Sequence, residues 1–232
     1  MIALLSVITV GMLCSLETHA MDYIENICPG WDESYSNAVA NISPRLEGKD
    51  AERARGHLKG GMWFWNDNKD YAEIRRLVSS ISDGIEGMVR VEVGNGNSQT
   101  YQSAWVVATK DAAIVVTNMR GSIRDGELTS LSSRPELVQL ERSVWDELVK
   151  DLAASKVSTL RSDAHSIVAD DSTYYLAFCS DHVVSQFAVY ALPYGPQSSV
   201  SQKEFSRLVQ NHAMAFAAVF KVLRHLPSED EN

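Results

Sequence analysis

The spacing of apolar positions changes several times along the chain, and each change marks an element. After Asn68, apolar residues fall at Tyr71, Ile74, Leu77, Val78 and Ile81. Steps of three and four place them on one stripe, which predicts a helix with a single buried face. Asn68 can cap its start, and Asp83-Gly84 closes it. From residue 87 the period falls to two. Val89, Val91 and Val93 alternate with Met88, Arg90 and Glu92, the pattern of a strand with one face buried and the other wet. Gly94-Asn95-Gly96-Asn97 supplies residues that tolerate positive φ, so a hairpin turn is expected there. A second strand follows from about Gln99 to Ala108. Thr109-Lys110-Asp111 turns the chain again, and Ala113 to Asn118 forms a third strand. Together these strands make an antiparallel meander.

Residues 119–132 read as loop. Ser133-Arg134-Pro135-Glu136 resembles a helix start, with a capping serine, a proline at the first helical position and a glutamate completing a capping box. Leu137, Leu140, Val144, Leu148 and Leu152 then predict one face of a helix reaching Ser155. Two further strands, Ser172 to Cys179 and Val184 to Leu192, flank the turn Ser180-Asp181-His182 and are rich in aromatic and β-branched residues. A second capping box at Ser201-Gln202-Lys203-Glu204 opens a last helix over about 202–226, with Phe205, Leu208, Phe216, Val219, Phe220 and Leu223 on its apolar side. Upstream, residues 21–48 look irregular, and residues 50–59 read as a short charged helix weakened by Gly56.

Strands do not alternate with single helices, so the expected class is α+β. The expected architecture is an antiparallel sheet of about five strands, a three-strand meander plus a C-terminal hairpin. Three longer helices would pack on one of its faces. A chain of 232 residues suits a single domain, expected over residues 21–232.

Residues 2–14 are almost wholly apolar, too few to span a bilayer as a helix but suited to the core of a secretory signal. Thr18-His19-Ala20 offers a small-residue cleavage site, so residues 1–20 are expected to be a signal peptide and the mature chain to begin at Met21. No Lys or Arg precedes Arg45, so the usual basic flank is missing. The expected location is periplasmic or secreted, with no stable membrane insertion once the signal is removed. Cleavage would remove Cys14 and leave Cys28 and Cys179, an even count that permits a disulfide in an oxidising compartment. The alternative is a pair of buried free thiols.

Charge narrows the partners. With 30 Asp and Glu against 21 Lys and Arg, the chain lacks the basic stripe by which proteins hold nucleic acid, so no nucleic-acid partner is expected. The chemical motifs are mostly missing. None of the six histidines stands three or four residues from another, and there is no Cys-x-x-Cys, so no metal site is expected. Gly-x-Ser-x-Gly is absent, and the Gly94–Asn97 turn joins two strands rather than opening a phosphate-binding helix. No cofactor is expected.

The candidates that remain are contact residues. Trp63 and Trp65, in Gly60-Gly61-Met62-Trp63-Phe64-Trp65, would form a partner hot spot if exposed and a core strand if not. Asp181 and His182 sit at a hairpin tip, where they serve either as contacts or simply as turn residues. The functional expectation is therefore a non-enzymatic protein-binding protein, such as a periplasmic immunity protein or an inhibitor, facing a basic secreted enzyme or toxin. One alternative is a hydrolase assembled from Ser180, Asp181, His182, Asp163 and His165. Another is a ligand or envelope-polymer binder built on Trp63 and Trp65.

Overall fold

The structure is a computed structural model that describes residues 28, 35–44, 46–49, 51–52, 54–56, 69–81, 84–95, 100–124, 127–165, 172–181, 183–191 and 202–226. The expected signal peptide, Trp63, Trp65 and His182 lie outside the described residues. Among those residues the longer elements run α1 (Ser36–Ala40), α2 (Lys69–Ser79), β1 (Gly87–Asn95), β2 (Thr100–Ala108), β3 (Ala112–Arg124), β4 (Glu127–Glu141), α3 (Arg142–Ala154), β5 (Asp163–His165), β6 (Ser172–Ser180), β7 (Val183–Ala191) and α4 (Gln202–Leu223). A 3-10 turn at Val157–Thr159 links α3 to β5. The charged segment predicted at 50–59 is helical at 51–52 and 54–56.

The class is α+β. All strands join one sheet in the order β4-β3-β2-β1-β6-β7-β5. Six strands pair antiparallel, and the short β5 adds to β7 in parallel at Asp163↔Val189 and His165↔Ala191. The meander and the C-terminal hairpin meet through β1 and β6, from Gly87↔Ser180 to Asn95↔Ser172.

Two sequence expectations change here. Residues 119–124 and 127–132 are not loop but parts of the long strands β3 and β4, and the helix expected from Ser133 begins only at Arg142. The cap at Ser133 loses because residues 136–141 hydrogen-bond along β3, from Thr117↔Glu136 to Ala112↔Glu141. A ladder along a buried strand outweighs one local cap of about 1 kcal/mol. Pro135 is tolerated because it falls in the register break between Thr117↔Glu136 and Met119↔Leu131, on an edge strand. Beyond Thr117, β3 leaves β2. The Thr117 hydroxyl donates to Ser103 O at 2.9 Å, and Asn118 Oδ1 accepts from Ser103 N at 2.7 Å, so side chains finish the ladder there.

The second change concerns layers. Helices cover both faces of the sheet rather than one. On the first face, Val89, Val91, Val106, Val115, Leu176, Phe178 and Phe187 meet Trp145, Leu148 and Leu152 of α3 and Phe216, Val219 and Val222 of α4. Buried Ala215 and Ala218 let α4 approach closely. Lys221 bridges the two helices, its Nζ donating to Glu147 at 2.6 Å and to Asp151 at 3.1 Å. Gly87 is required where α3 crosses the sheet end, since a Cβ there would lie 2.6 Å from Trp145 Cζ2 and 2.9 Å from Cys179 O.

On the second face, Met88, Trp105, Val107, Val116, Tyr175, Ala177 and Ala188 meet Tyr35 and Ala38 near the N-terminus and Ile74 and Val78 of α2. This is the face the alternation of β1 predicted to be wet. Arg90 and Glu92 are instead fully buried. Arg90 Nε donates to Glu92 Oε1 at 2.7 Å, Tyr35 OH donates to Glu92 Oε2 at 2.5 Å, and Arg90 Nη2 donates to the Tyr35 oxygen. The Arg90 guanidinium carbon lies 4.6 Å, 4.8 Å and 5.3 Å from the ring centres of Tyr35, Trp105 and Tyr175. Alternating polar residues mark a strand face but do not say what covers it. Here α2 and a segment more than fifty residues upstream supply the cover, and that segment's Tyr35 donates to Glu92 and accepts from Arg90.

That segment is fastened by the Cys28–Cys179 disulfide, which joins it to β6 across 151 residues of sequence. Both sulfur-bearing residues are fully buried. Closing so long a loop restricts the unfolded chain, and native disulfides of this kind contribute about 2–5 kcal/mol.

Two stability outcomes follow, both read from urea unfolding midpoints. Replacing both Cys28 and Cys179 by serine is expected to cost about 2–5 kcal/mol. Replacing Arg90 alone by leucine leaves Glu92 buried without its cation and is expected to cost about 3–5 kcal/mol, while the double change Arg90→Leu with Glu92→Leu costs less than Arg90→Leu.

Candidate functional site

The segment that seals the second face also builds a concave surface. Residues 35–44 run from the buried cluster to the short end strand of the sheet and are bonded at each step. Asn37 Nδ2 donates to Gln186 Oε1 on β7 at 3.0 Å, and Gln186 Nε2 donates to the Tyr175 hydroxyl at 3.1 Å. The Ser162 hydroxyl donates to Ala38 O at 2.5 Å and accepts from Ala188 N at 2.9 Å. Ser162 N donates to Asn41 O, and Ser43 N donates to Ser162 O, so Ile42 bridges Ser162 in parallel.

On the other side of β7, the Ser185 hydroxyl donates to Val157 O at 2.7 Å and holds the 3-10 turn against the strand. The imidazole of the buried His212, on α4, lies with Nε2 2.9 Å from Arg161 O and fixes the chain entering β5. Between these two walls lies a groove of about 440 Å³, lined by Asn37, Ala40, Asn41, Ser158, Arg161, Val184, Ser185 and Gln186. Among the described residues no Asp or Glu lines it, although the chain carries a net charge of −9.

The β6–β7 turn stands just beyond the groove along β7. Asp181 is exposed and adopts the left-handed conformation, φ 49°. An aspartate tolerates this better than most residues because its short polar chain can bond locally. The Ser180 hydroxyl donates to Asp181 Oδ2 at 3.5 Å, a long contact. Val183, after the turn, is 42% exposed, and Cys179 faces Val184 across the hairpin. The disulfide is therefore anchored in the strand pair that leads into the turn. It ties β6 to the N-terminal segment two residues before Asp181.

Of the residues named for a hydrolase, Ser180 adjoins Asp181, while Asp163 and His165 stand in β5, away from it. Asp163 is buried and pairs with Val189, six residues along β7 from Val183. At about 3.3 Å per residue, this places Asp163 roughly 20 Å from the turn. Among the described residues no group of three or more His, Cys, Asp or Glu stands together as metal ligands would. No helix among them is long and apolar enough to cross a membrane.

Sequence reasoning missed the groove residues Asn37, Asn41, Ser158, Arg161 and Gln186. Asn37 and Gln186 are separated by 149 residues, and neither belongs to a spaced motif. The only local sign was turn-forming residues in an irregular N-terminal stretch, and these now prove to hold α1 and a bridge to Ser162.

No protein-family model matches the sequence, and no characterised protein resembles it significantly.

Arg142 shows how the opposite edge of the turn region is held. It donates to Glu86 at 2.6 Å, to Asp146 at 3.3 Å and to Thr109 O. Hydrogen bonding to Glu86 is the main cause that holds its proton more tightly than usual. Replacing Arg142 by glutamine is expected to loosen the β2–β3 turn with a loss of less than about 1 kcal/mol, because the pair is partly solvated. Faster hydrogen exchange at Thr109 N, which donates to Ala112 O at 2.9 Å, would report it.

Proposed function

We propose that the chain is an exported, non-enzymatic protein-binding protein, an inhibitor or immunity protein of the cell envelope, and that it meets a basic secreted enzyme or toxin at the end of the sheet carrying the β6–β7 turn. The observation that carries this reading is the disulfide-anchored turn. Cys179 is bonded to Cys28, and beyond it the chain presents an exposed carboxylate at Asp181 and an exposed apolar side chain at Val183. An acidic and apolar tip on a strand pair tied down by a disulfide suits recognition, because such a tether reduces the conformational freedom to be lost on binding.

Two further features support it. A buried disulfide across 151 residues fits a compartment that oxidises thiols, in line with the apolar N-terminal stretch. The excess of 30 acidic over 21 basic residues favours encounter with a basic partner. Trp63 and Trp65 remain candidates for the same interaction.

The test is affinity capture of the chain tagged at its C-terminus in its own host. The expected result is one stoichiometric protein partner whose activity falls on mixing, and an exported chain beginning at Met21. With that partner in hand, Asp181→Asn preserves a residue that tolerates the left-handed backbone and removes the charge. It is expected to slow association by about two- to tenfold at low salt and to flatten the salt dependence. Association rates unchanged by this substitution would remove the turn from the interface.

A further inference from the structure

β4 ends the sheet on the side away from the groove, and among the described residues no strand pairs with its far edge. Hydrogen bonding at the β2–β3 turn fixes which of its groups face outward. Thr109 N donates to Ala112 O at 2.9 Å, so these two residues form the bonded closing pair of that hairpin. Alternation then turns the peptide groups of Ala108 toward β1 and those of Ala113 toward β4. Ala108 agrees, since its carbonyl accepts from Glu86 N at 2.8 Å. Ala113 and Val115 therefore bond Leu140 and Val138, and the N–H groups of Leu137, Gln139 and Glu141 point away from β3.

Exposure follows the same alternation. Leu137 is 44% exposed, Gln139 and Glu141 are also exposed, and Val138 and Leu140 between them are partly buried. Pro135 has no N–H to offer, so this edge begins at Leu137. Leu137 stands opposite Val116, a residue of the second face, and Gln139 and Glu141 share that face by alternation. Along the edge the three side chains are apolar, polar and acidic. Glu141 accepts from the Ser143 hydroxyl at 3.3 Å and forms no ion pair among the described residues.

We infer that this edge takes an extended segment of the protein partner as an added strand, basic at one end and apolar at the other. Main-chain bonds to residues 137–141 hold the segment, and cross-strand pairs select it. Running antiparallel to β4, it sets a basic residue beside Glu141, a polar one beside Gln139 and an apolar one beside Leu137. The two residues between them stand beside Leu140 and Val138 and are apolar. A second copy of the chain is the weaker occupant, because it brings another net charge of −9 and another Glu141 rather than a cation. This inference rests on the protein-binding reading and names the part of the partner that is gripped. The pairs Ser180↔Gly87, Gly87↔Ala108, Ala108↔Ala113 and Ala113↔Leu140 set Glu141 and the β6–β7 turn at one end of the sheet. At about 4.8 Å per strand they stand roughly 19 Å apart. One partner with an interface of ordinary size reaches both.

The experiment reads site-resolved hydrogen exchange in the full disulfide-bonded chain, labelled with nitrogen-15. The probes are two acetylated and amidated pentapeptides, Lys-Val-Thr-Val-Leu and Glu-Val-Thr-Val-Leu. Without peptide, the amides of Leu137, Gln139 and Glu141 are expected to exchange at least tenfold faster than those of Val138 and Leu140. The lysine peptide is expected to protect the first three and to bind at least threefold more tightly than the glutamate peptide. Glu141→Gln is expected to remove that preference. Gln139→Pro takes away an outward N–H and leaves the ladder to β3, so Val138 and Leu140 stay protected while both peptides bind at least tenfold more weakly. Equal affinity for the two peptides, no response at millimolar peptide, or unchanged binding in Gln139→Pro overturns the inference. Protection at the three outward amides that rises with chain concentration alone identifies a second copy and also overturns it. A protein partner captured equally well by Gln139→Pro, with no peptide response, overturns the edge and leaves the protein-binding function standing.

Discussion

One buried ion pair sets the terms for the rest of this protein. Arg90 and Glu92 lie on the central strand with no exposed side-chain surface. Charges buried this way are costly unless every one is met. Here the Tyr35 hydroxyl bridges them, and the rings of Tyr35, Trp105 and Tyr175 surround the guanidinium. The sheet cannot supply Tyr35 itself. It must come from the N-terminal segment, so the second face is complete only when that segment is in place.

The segment's course is correspondingly overdetermined. Cys28 is bonded to β6, Tyr35 enters the charge cluster, Asn37 meets Gln186, and Ser43 meets Ser162. Each anchor takes hold of a different part of the C-terminal hairpin or its flank. The same anchors raise one wall of the groove beside β7 and tie down β6 just before the turn that carries Asp181. The second face and the groove wall thus depend on a single stretch of chain.

Much of the fold could be read from local pattern. The meander, the C-terminal hairpin, the helix over 69–79 and the long last helix follow from periods of two and of three to four, because each element's own side chains carry the signal. The disulfide was legible as a possibility, since setting aside the apolar stretch that ends at Cys14 leaves two cysteines. What could not be read is what one part of the chain does to another. Arg90 and Glu92 alternate with valines as solvent-facing residues do, and nothing near them announces Tyr35. The capping box at Ser133 is a sound local signal overruled by pairing with β3. The groove gathers residues from three distant stretches, so no spacing could have disclosed it. The turn at Asp181 was recognisable as a turn, but its tie to the N-terminal segment depends on Cys28.

The most direct measurement is site-resolved hydrogen exchange of the oxidised and the reduced chain, read at Val39, Asn41 and Ser43, whose N–H groups bond to Tyr35, Asn37 and Ser162. If the disulfide fastens the cover over the charged face, reduction will strip protection from these three amides while those of the β2–β3 ladder stay protected. Equal protection in both states would show that the cover holds without the bond, and would contradict the account.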